Sequence, residues 1–256
     1  MSVAKGRLNE MKGIVENPIV IFRATPAMKG NYHFGSRLIF DKDGNLFVST
    51  GERSILEGRV QAQLLSSGLG KIFKITPDGK PAPGNPFINQ NGAMPEIYSY
   101  GNRNVQSLDI HPVTGELWEA EFGPRGGDEL NIIRPGKNYG WPVITYGIDY
   151  SGAIVSRETK KEGMEQPILQ WTPSIAVCPA EFVTGNLFPA WKNNLFIGAL
   201  AFEEIRRLVI EQHKVTDQEV ILKGVGRVRE LKFGPDGALY VLLNEPDMVL
   251  RIKPEK

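Results

Sequence analysis

One cysteine, Cys178, occurs in 256 residues. That excludes an intrachain disulfide and leaves no spacing for a zinc or iron–sulfur site. A lone cysteine of this kind reads as a small buried hydrophobe. No window of about 18 apolar residues occurs, which excludes a spanning helix. The opening MSVAKGRLNEMKG lacks the apolar centre of a signal peptide. Charge bias is missing too: 30 basic and 29 acidic residues leave a net charge of +1. Neither nucleic acid nor a membrane surface is indicated as a partner. Long amphipathic stretches with apolar residues at i, i+3, i+4 and i+7 are scarce, so little helix is expected. The chain as written reads as soluble.

Glycine (28) and proline (18) are abundant instead, and both punctuate turns. Residues 38–50 read LIFDKDGNLFVST, 108–121 read LDIHPVTGELWEAE and 231–243 read LKFGPDGALYVLL. Each is an apolar run, a turn with Asp or Pro and Gly, then a second apolar run, which predicts a β-hairpin. A weaker copy is FPAWKNNLFIGAL at 188–200, with Asn193-Asn194 at the turn. A further strand follows each: 71–79, 130–136, 205–210 and 248–254. About four β-meanders in one chain predict an all-β fold, and a β-propeller rather than a β-sandwich. The segments 51–70, 80–107 and 137–187 then read as insertions gathered on one functional face. The whole chain, 1–256, is expected to form a single propeller domain.

The three histidines differ in setting. His111 and His213 lie in polar turns and read as surface residues. His33, in GNYHFGSR, stands at a strand entrance between glycines, where a neutral imidazole suits a general base. Arg103, with Asn104 and Gln106 in YGNRNVQ, offers a planar fork of donors for an anion or a carbonyl, or else a loop salt bridge. Arg227 and Arg229 alternate at the start of a strand, which puts two like charges on one side and calls for an anion between them. EFGPRGGDELN at 121–131 brings Glu121, Asp128 and Glu129 beside free backbone, a weak signal for a hard cation. NYGWPVITYGIDY adds Tyr139, Trp141, Tyr146 and Tyr150, aromatics that either rim a pocket or pack a sheet.

The runs GNRNVQ and EFGPRGGDELNIIRPGKNYGWPVITYGIDYSG are similar to the soluble aldose sugar dehydrogenases that use pyrroloquinoline quinone (PQQ). That family includes quinoprotein glucose dehydrogenase and sorbosone-dehydrogenase-like proteins. HFGSRLIFDKDGNLFVSTGER, FPAWKNNLFIGAL and GRVRELKFGPDGALYVL extend the resemblance from about residue 16 onward. It implies a six-bladed propeller, of which this N-terminally shortened chain carries about four blades. It further implies PQQ on one face, held by calcium, with a sugar as substrate and an external electron acceptor.

Residue by residue, the resemblance makes His33 the base for the anomeric hydroxyl. It sets Arg103 over the quinone oxygens, with Asn104 and Gln106 beside it. Gly123 and Pro124 would offer carbonyls to the cofactor's calcium, and Glu129 and Tyr139 would bind a second calcium, with Tyr150 near it. Arg227 and Arg229 would meet the PQQ carboxylates, the anion their pairing calls for. The family implies a periplasmic or secreted location, whereas the chain as written, without a leader, is also compatible with the cytoplasm. Ala201 stands where members often carry lysine, and SILEGRVQAQ (54–63) departs from their polar loop. Chain-to-chain pairing of sheet edges, and a non-catalytic calcium-binding or interaction module, are the alternatives. A lactonase-type propeller would need a Glu, Asn and Asp ring about one calcium, and no such set is matched.

Overall fold

A computed structural model describes residues 1–255. An N-terminal hairpin pairs β1 (Ser2–Asn9) with β2 (Ile14–Arg23). Sheet I follows: β3 (Leu38–Phe40), β4 (Leu46–Ser49), β5 (Lys71–Ile75) and β6 (Ile97–Tyr100). The short helix α1 (Leu56–Arg59) lies between β4 and β5. Sheet II is β7 (Val105–Ile110), β8 (Leu117–Glu121), β9 (Asp128–Ile133) and β10 (Leu169–Trp171). Sheet III is β11 (Val177–Phe182), β12 (Leu195–Ala199), β13 (Glu204–Glu211) and β14 (Lys214–Lys223). Sheet IV has three strands: β15 (Arg227–Phe233), β16 (Leu239–Asn244) and β17 (Met248–Ile252). Every pairing is antiparallel between chain neighbours, so each sheet is a meander.

Turn chemistry explains the repeats. Asp41 Oδ1 accepts the amides of Asp43 and Asn45 at 2.9 and 2.8 Å, and Gly44 supplies the left-handed residue at φ 79°. Gly115 and Gly237 take the same conformation in the second and fourth copies, at φ 72° and 75°. The copy at 188–200 is different from the expectation. Pro189–Trp191 is a 3₁₀ turn, and the strand that pairs with β12 is β11, well upstream. Segment 137–187 likewise is no plain insertion, since β10 and β11 lie inside it, and 80–107 contains β6.

The sheets stack face to face in chain order. Val3 and Phe22 of the hairpin pack on Val48 and Phe73 of sheet I. Phe47 and Ile72 meet Val105 and Leu117 of sheet II. Trp118 and Leu130 meet Val177 and Ile197 of sheet III. Phe196 and Ile205 meet Val228 and Leu239 of sheet IV. Each fully buried side chain of this size stabilises by roughly 1.5–3 kcal/mol. Among the described residues no apolar cluster joins sheet IV to the hairpin or to sheet I.

The first strands of the sheets are neighbours. β7 packs against β3 and β11, and β11 against β15. Their N-terminal ends therefore converge. Arg37 Nη2 lies 3.4 Å from Cys178 Sγ and donates to the Arg229 carbonyl at 3.0 Å. Cys178 Sγ lies 4.0 Å from Gln106 Oε1. Loops connecting the sheets gather at this end and build the candidate site.

Candidate functional site

His33 is held in an unusual backbone conformation, φ 52°. The 33–35 segment runs close against residues 50–51. A Cβ at Gly35 would lie 2.7 Å from Thr50 Cα. The His33 carbonyl accepts Arg53 Nη1 at 2.7 Å, which fixes the segment. The imidazole Nδ1 bonds to the Glu52 carboxylate, and both side chains are nearly buried, 9% and 1% exposed. A carboxylate on Nδ1 selects the Nδ1–H tautomer and leaves Nε2 as the free acceptor. Burial lowers the His33 pKa, the Glu52 bond raises it, and the Arg103 and Arg59 charges lower it. The imidazole is thus neutral near pH 7 and aligned, as a proton acceptor must be.

Arg103 is buried behind it. Nη1 donates to the Phe122 and Gly123 carbonyls at 3.1 and 2.7 Å, while Nε has no partner. The guanidinium lies 5.2 Å from the Trp141 ring centroid and 5.9 Å from that of Tyr150. Asn104 Oδ1 accepts Gly35 N–H at 3.0 Å and Gln106 Nε2 at 3.1 Å. His33, Arg103, Asn104 and Gln106 are therefore brought together across two sheets.

Beneath Arg103 lies a nest of buried acids. Glu121 and Glu129 are cross-strand partners, as are Glu119 and Asn131. Glu121 accepts the amides of Arg103 and Asn104 at 2.5 and 3.1 Å. Asn131 Nδ2 donates to Glu119 at 2.8 Å and to Glu129 at 3.2 Å. Burial raises the pKa of all three glutamates, and mutual repulsion adds to the shifts of Glu119 and Glu129. Glu119 Oε2, Asn131 Oδ1 and Asn102 Oδ1 stay buried without partners. Unpaired buried carboxyl and amide oxygens are costly and suit a hard cation. Among the described residues no three His, Cys, Asp or Glu side chains converge on one metal-sized point. A cation here would need backbone or amide oxygens as well.

The other expected metal residues are spread around this nest. Tyr139 is buried beside it, but its hydroxyl donates to the Ile132 carbonyl at 2.7 Å and accepts Arg134 N–H at 2.9 Å. The Gly123 carbonyl faces Arg103. Pro124 and Tyr150 line an open cleft of about 680 Å³ with Ala201. At β15 the register slips between Val228 and Glu230, so Arg229 is the extra residue of a bulge. Arg227 and Arg229 flank the buried Val228, the first half-buried and the second exposed. Neither guanidinium forms an ion pair among the described residues.

Glu52, Glu119 and Arg59 escaped sequence reading. Glu52 follows Gly51 in a run whose turn chemistry is unremarkable, and only the fold sets it against His33. Glu119 alternates with apolar residues like any strand acid.

The sequence model for glucose/sorbosone dehydrogenase matches residues 1–251. The chain is 42% identical over 258 residues to the aldose sugar dehydrogenase YliI of Escherichia coli K12, covering 99% of this chain and 68% of that protein. A crystal structure of a glucose dehydrogenase superposes with a TM-score of 0.95 at 43% identity, over 99% of this chain and 74% of the other. The PQQ-bound aldose sugar dehydrogenase of Streptomyces coelicolor superposes at 0.73 with 30% identity, over 93% of this chain and 66% of the other. On the match of its sequence across sheets I to IV, the chain belongs to the glucose/sorbosone dehydrogenase family.

Proposed function

We propose that this chain is a PQQ-dependent aldose dehydrogenase, its sheets successive blades of a propeller. The observation that carries the reading is the His33–Glu52 pair next to a buried Arg103 whose Nε has no partner. His33 Nε2 takes the proton of the sugar's C1 hydroxyl as the C1 hydrogen leaves with its electron pair. The sugar becomes a lactone. Glu52 stabilises the imidazolium, as a buried carboxylate on the far nitrogen does. PQQ, when bound, supplies the two-electron acceptor, which an external acceptor reoxidises.

The residues present fit such a group. Arg103 has an unpartnered donor, and Arg227 and Arg229, in no ion pair among the described residues, offer cations to carboxylates. Asn104 and Gln106 orient amides beside them. Calcium would be held by oxygens of the acid nest around Glu129, with Gly123, Pro124, Tyr139 and Tyr150 near it, and would neutralise its charge. A periplasmic or secreted location would accord with this reading. Among the described residues no helix is long and apolar enough to cross a membrane.

A second reading is a calcium-binding module that does not turn over. Ala201 lining the cleft, and the lack, among the described residues, of an apolar cluster joining sheet IV to sheet I or the hairpin, favour it. Titration with PQQ and calcium, followed by absorbance and by dye reduction with glucose, separates the two. A spectral change with sugar-dependent reduction supports the dehydrogenase. Calcium binding with no PQQ response removes it.

A further inference from the structure

The loop 54–63 connects β4 to β5 and carries Arg59 at the end of α1. The guanidinium is largely buried, 19% exposed, and pairs through Nη2 with Asp149. Nε and Nη1 have no protein partner and are not sealed from solvent. The Arg59 guanidinium carbon lies 5.7 Å from the Trp141 ring centroid, so Trp141 has Arg59 and Arg103 both against it. Asp149 is locked in place: its Oδ1 accepts the amide and hydroxyl of Ser151 at 3.0 and 2.9 Å. Its loop is tied to the 121–127 segment, where Arg125 N–H donates to the Ile148 carbonyl at 2.9 Å. Arg59 also lies near enough to His33 for its charge to oppose protonation of the imidazole.

These features make a polyol surface. A fixed guanidinium with free donors stands next to a fixed carboxylate, and exposed Tyr150 follows Asp149 directly. Alternating donors and acceptors beside an aromatic ring match adjacent sugar hydroxyls, each of which both donates and accepts. A guanidinium held largely buried, with two of its nitrogens unused by the protein, gains most from a ligand that supplies the missing acceptors.

We propose that Arg59, set by Asp149, is the residue that selects the sugar, binding the hydroxyls remote from C1 while His33 faces C1. This rests on the dehydrogenase reading above. Positioning by remote contacts is what gives a substrate its place against a base.

The test uses the PQQ-loaded and the cofactor-free protein, with Arg59→Gln and Asp149→Asn. For the loaded wild type and variants, KM and kcat are measured for glucose, xylose and 2-deoxyglucose. The expected result is a KM for glucose raised by roughly 10-fold or more, with kcat within about 3-fold and the preference between glucose and xylose flattened. An unchanged ranking of sugars overturns the proposal. So does a fall in kcat at constant KM. In parallel, saturation-transfer NMR measures glucose binding to the cofactor-free proteins. A wild type that binds glucose but oxidises nothing sinks the dehydrogenase reading alone, and loss of that binding in Arg59→Gln still supports the selecting role. Equal glucose binding by wild type and Arg59→Gln overturns it.

Discussion

His33 Nδ1 is bonded to the Glu52 carboxylate in a nearly dry pocket, 19 residues apart in the chain and on the walls of one turn of backbone. The bond sets the tautomer and offsets part of the burial that depresses the imidazole pKa. Glu52→Gln removes the charge and keeps the shape. Loss of such an orienting partner typically costs about 10–100-fold. Glu52 raises the His33 pKa, so its removal lowers that pKa further. Since the base must be neutral, the acidic limb of the kcat/KM profile should move to lower pH while the plateau falls. A plateau that falls with an unmoved limb would show that Glu52 does not act through His33.

Arg103 holds its position by two carbonyl contacts and two aromatic rings. Lysine cannot reproduce the planar fork or the stacking. Arg103→Lys should weaken PQQ binding by roughly 10-fold or more, as loss of a charged hydrogen bond of about 1.5–3 kcal/mol implies. Absorbance titration measures it directly. An unchanged affinity would remove Arg103 from the cofactor site.

Turns and strands were legible because they are local. Asp41 and Gly44 announce their hairpin by chemistry confined to five residues. The strand β11 was not, because its partner β12 lies across a loop where Pro189 and Trp191 mimic a strand's apolar content but form a 3₁₀ turn. In the site, Arg103 and His33 stand out through glycine-flanked segments. Glu52 and Arg59 do not, since only the fold brings Glu52 against His33, 19 residues before it, and Arg59 against Asp149, 90 residues after it. The bulge at Arg229 is likewise a property of pairing with β16, invisible in the spacing of two arginines.

The acid nest predicts a calcium effect on stability. Glu119 and Glu121 are buried beside Glu129, and Glu119 Oε2, Asn131 Oδ1 and Asn102 Oδ1 have no partner, so a cation that binds only the folded state stabilises it. At 100 times its Kd the gain is about 2.7 kcal/mol. For a chain of this size that raises Tm by roughly 5–10 °C. Scanning calorimetry with calcium and with EDTA should show the shift, and Glu129→Gln should reduce it. A Tm indifferent to calcium would mean that the nest is compensated by protons alone.

Lys71 gives the last prediction. Its side chain is fully buried at the head of β5, and Nζ donates to the carbonyls of Gln61, Ala62 and Leu69 at 2.8, 2.9 and 2.7 Å. Burial pulls its pKa down to about 7. Three carbonyl acceptors oppose that, because only the ammonium has three hydrogens to give. The contact folds the 54–70 loop back on sheet I, and that loop carries Arg59 and Gln63, the latter donating to the Trp141 carbonyl at 2.7 Å. Lys71→Met fills the same volume but strands three carbonyls. The expected loss is about 3 kcal/mol, or roughly 6–12 °C in Tm. Hydrogen exchange should quicken in residues 54–70 before it does in β4 or β5. Uniform quickening across sheet I would mean that Lys71 supports the sheet rather than the loop.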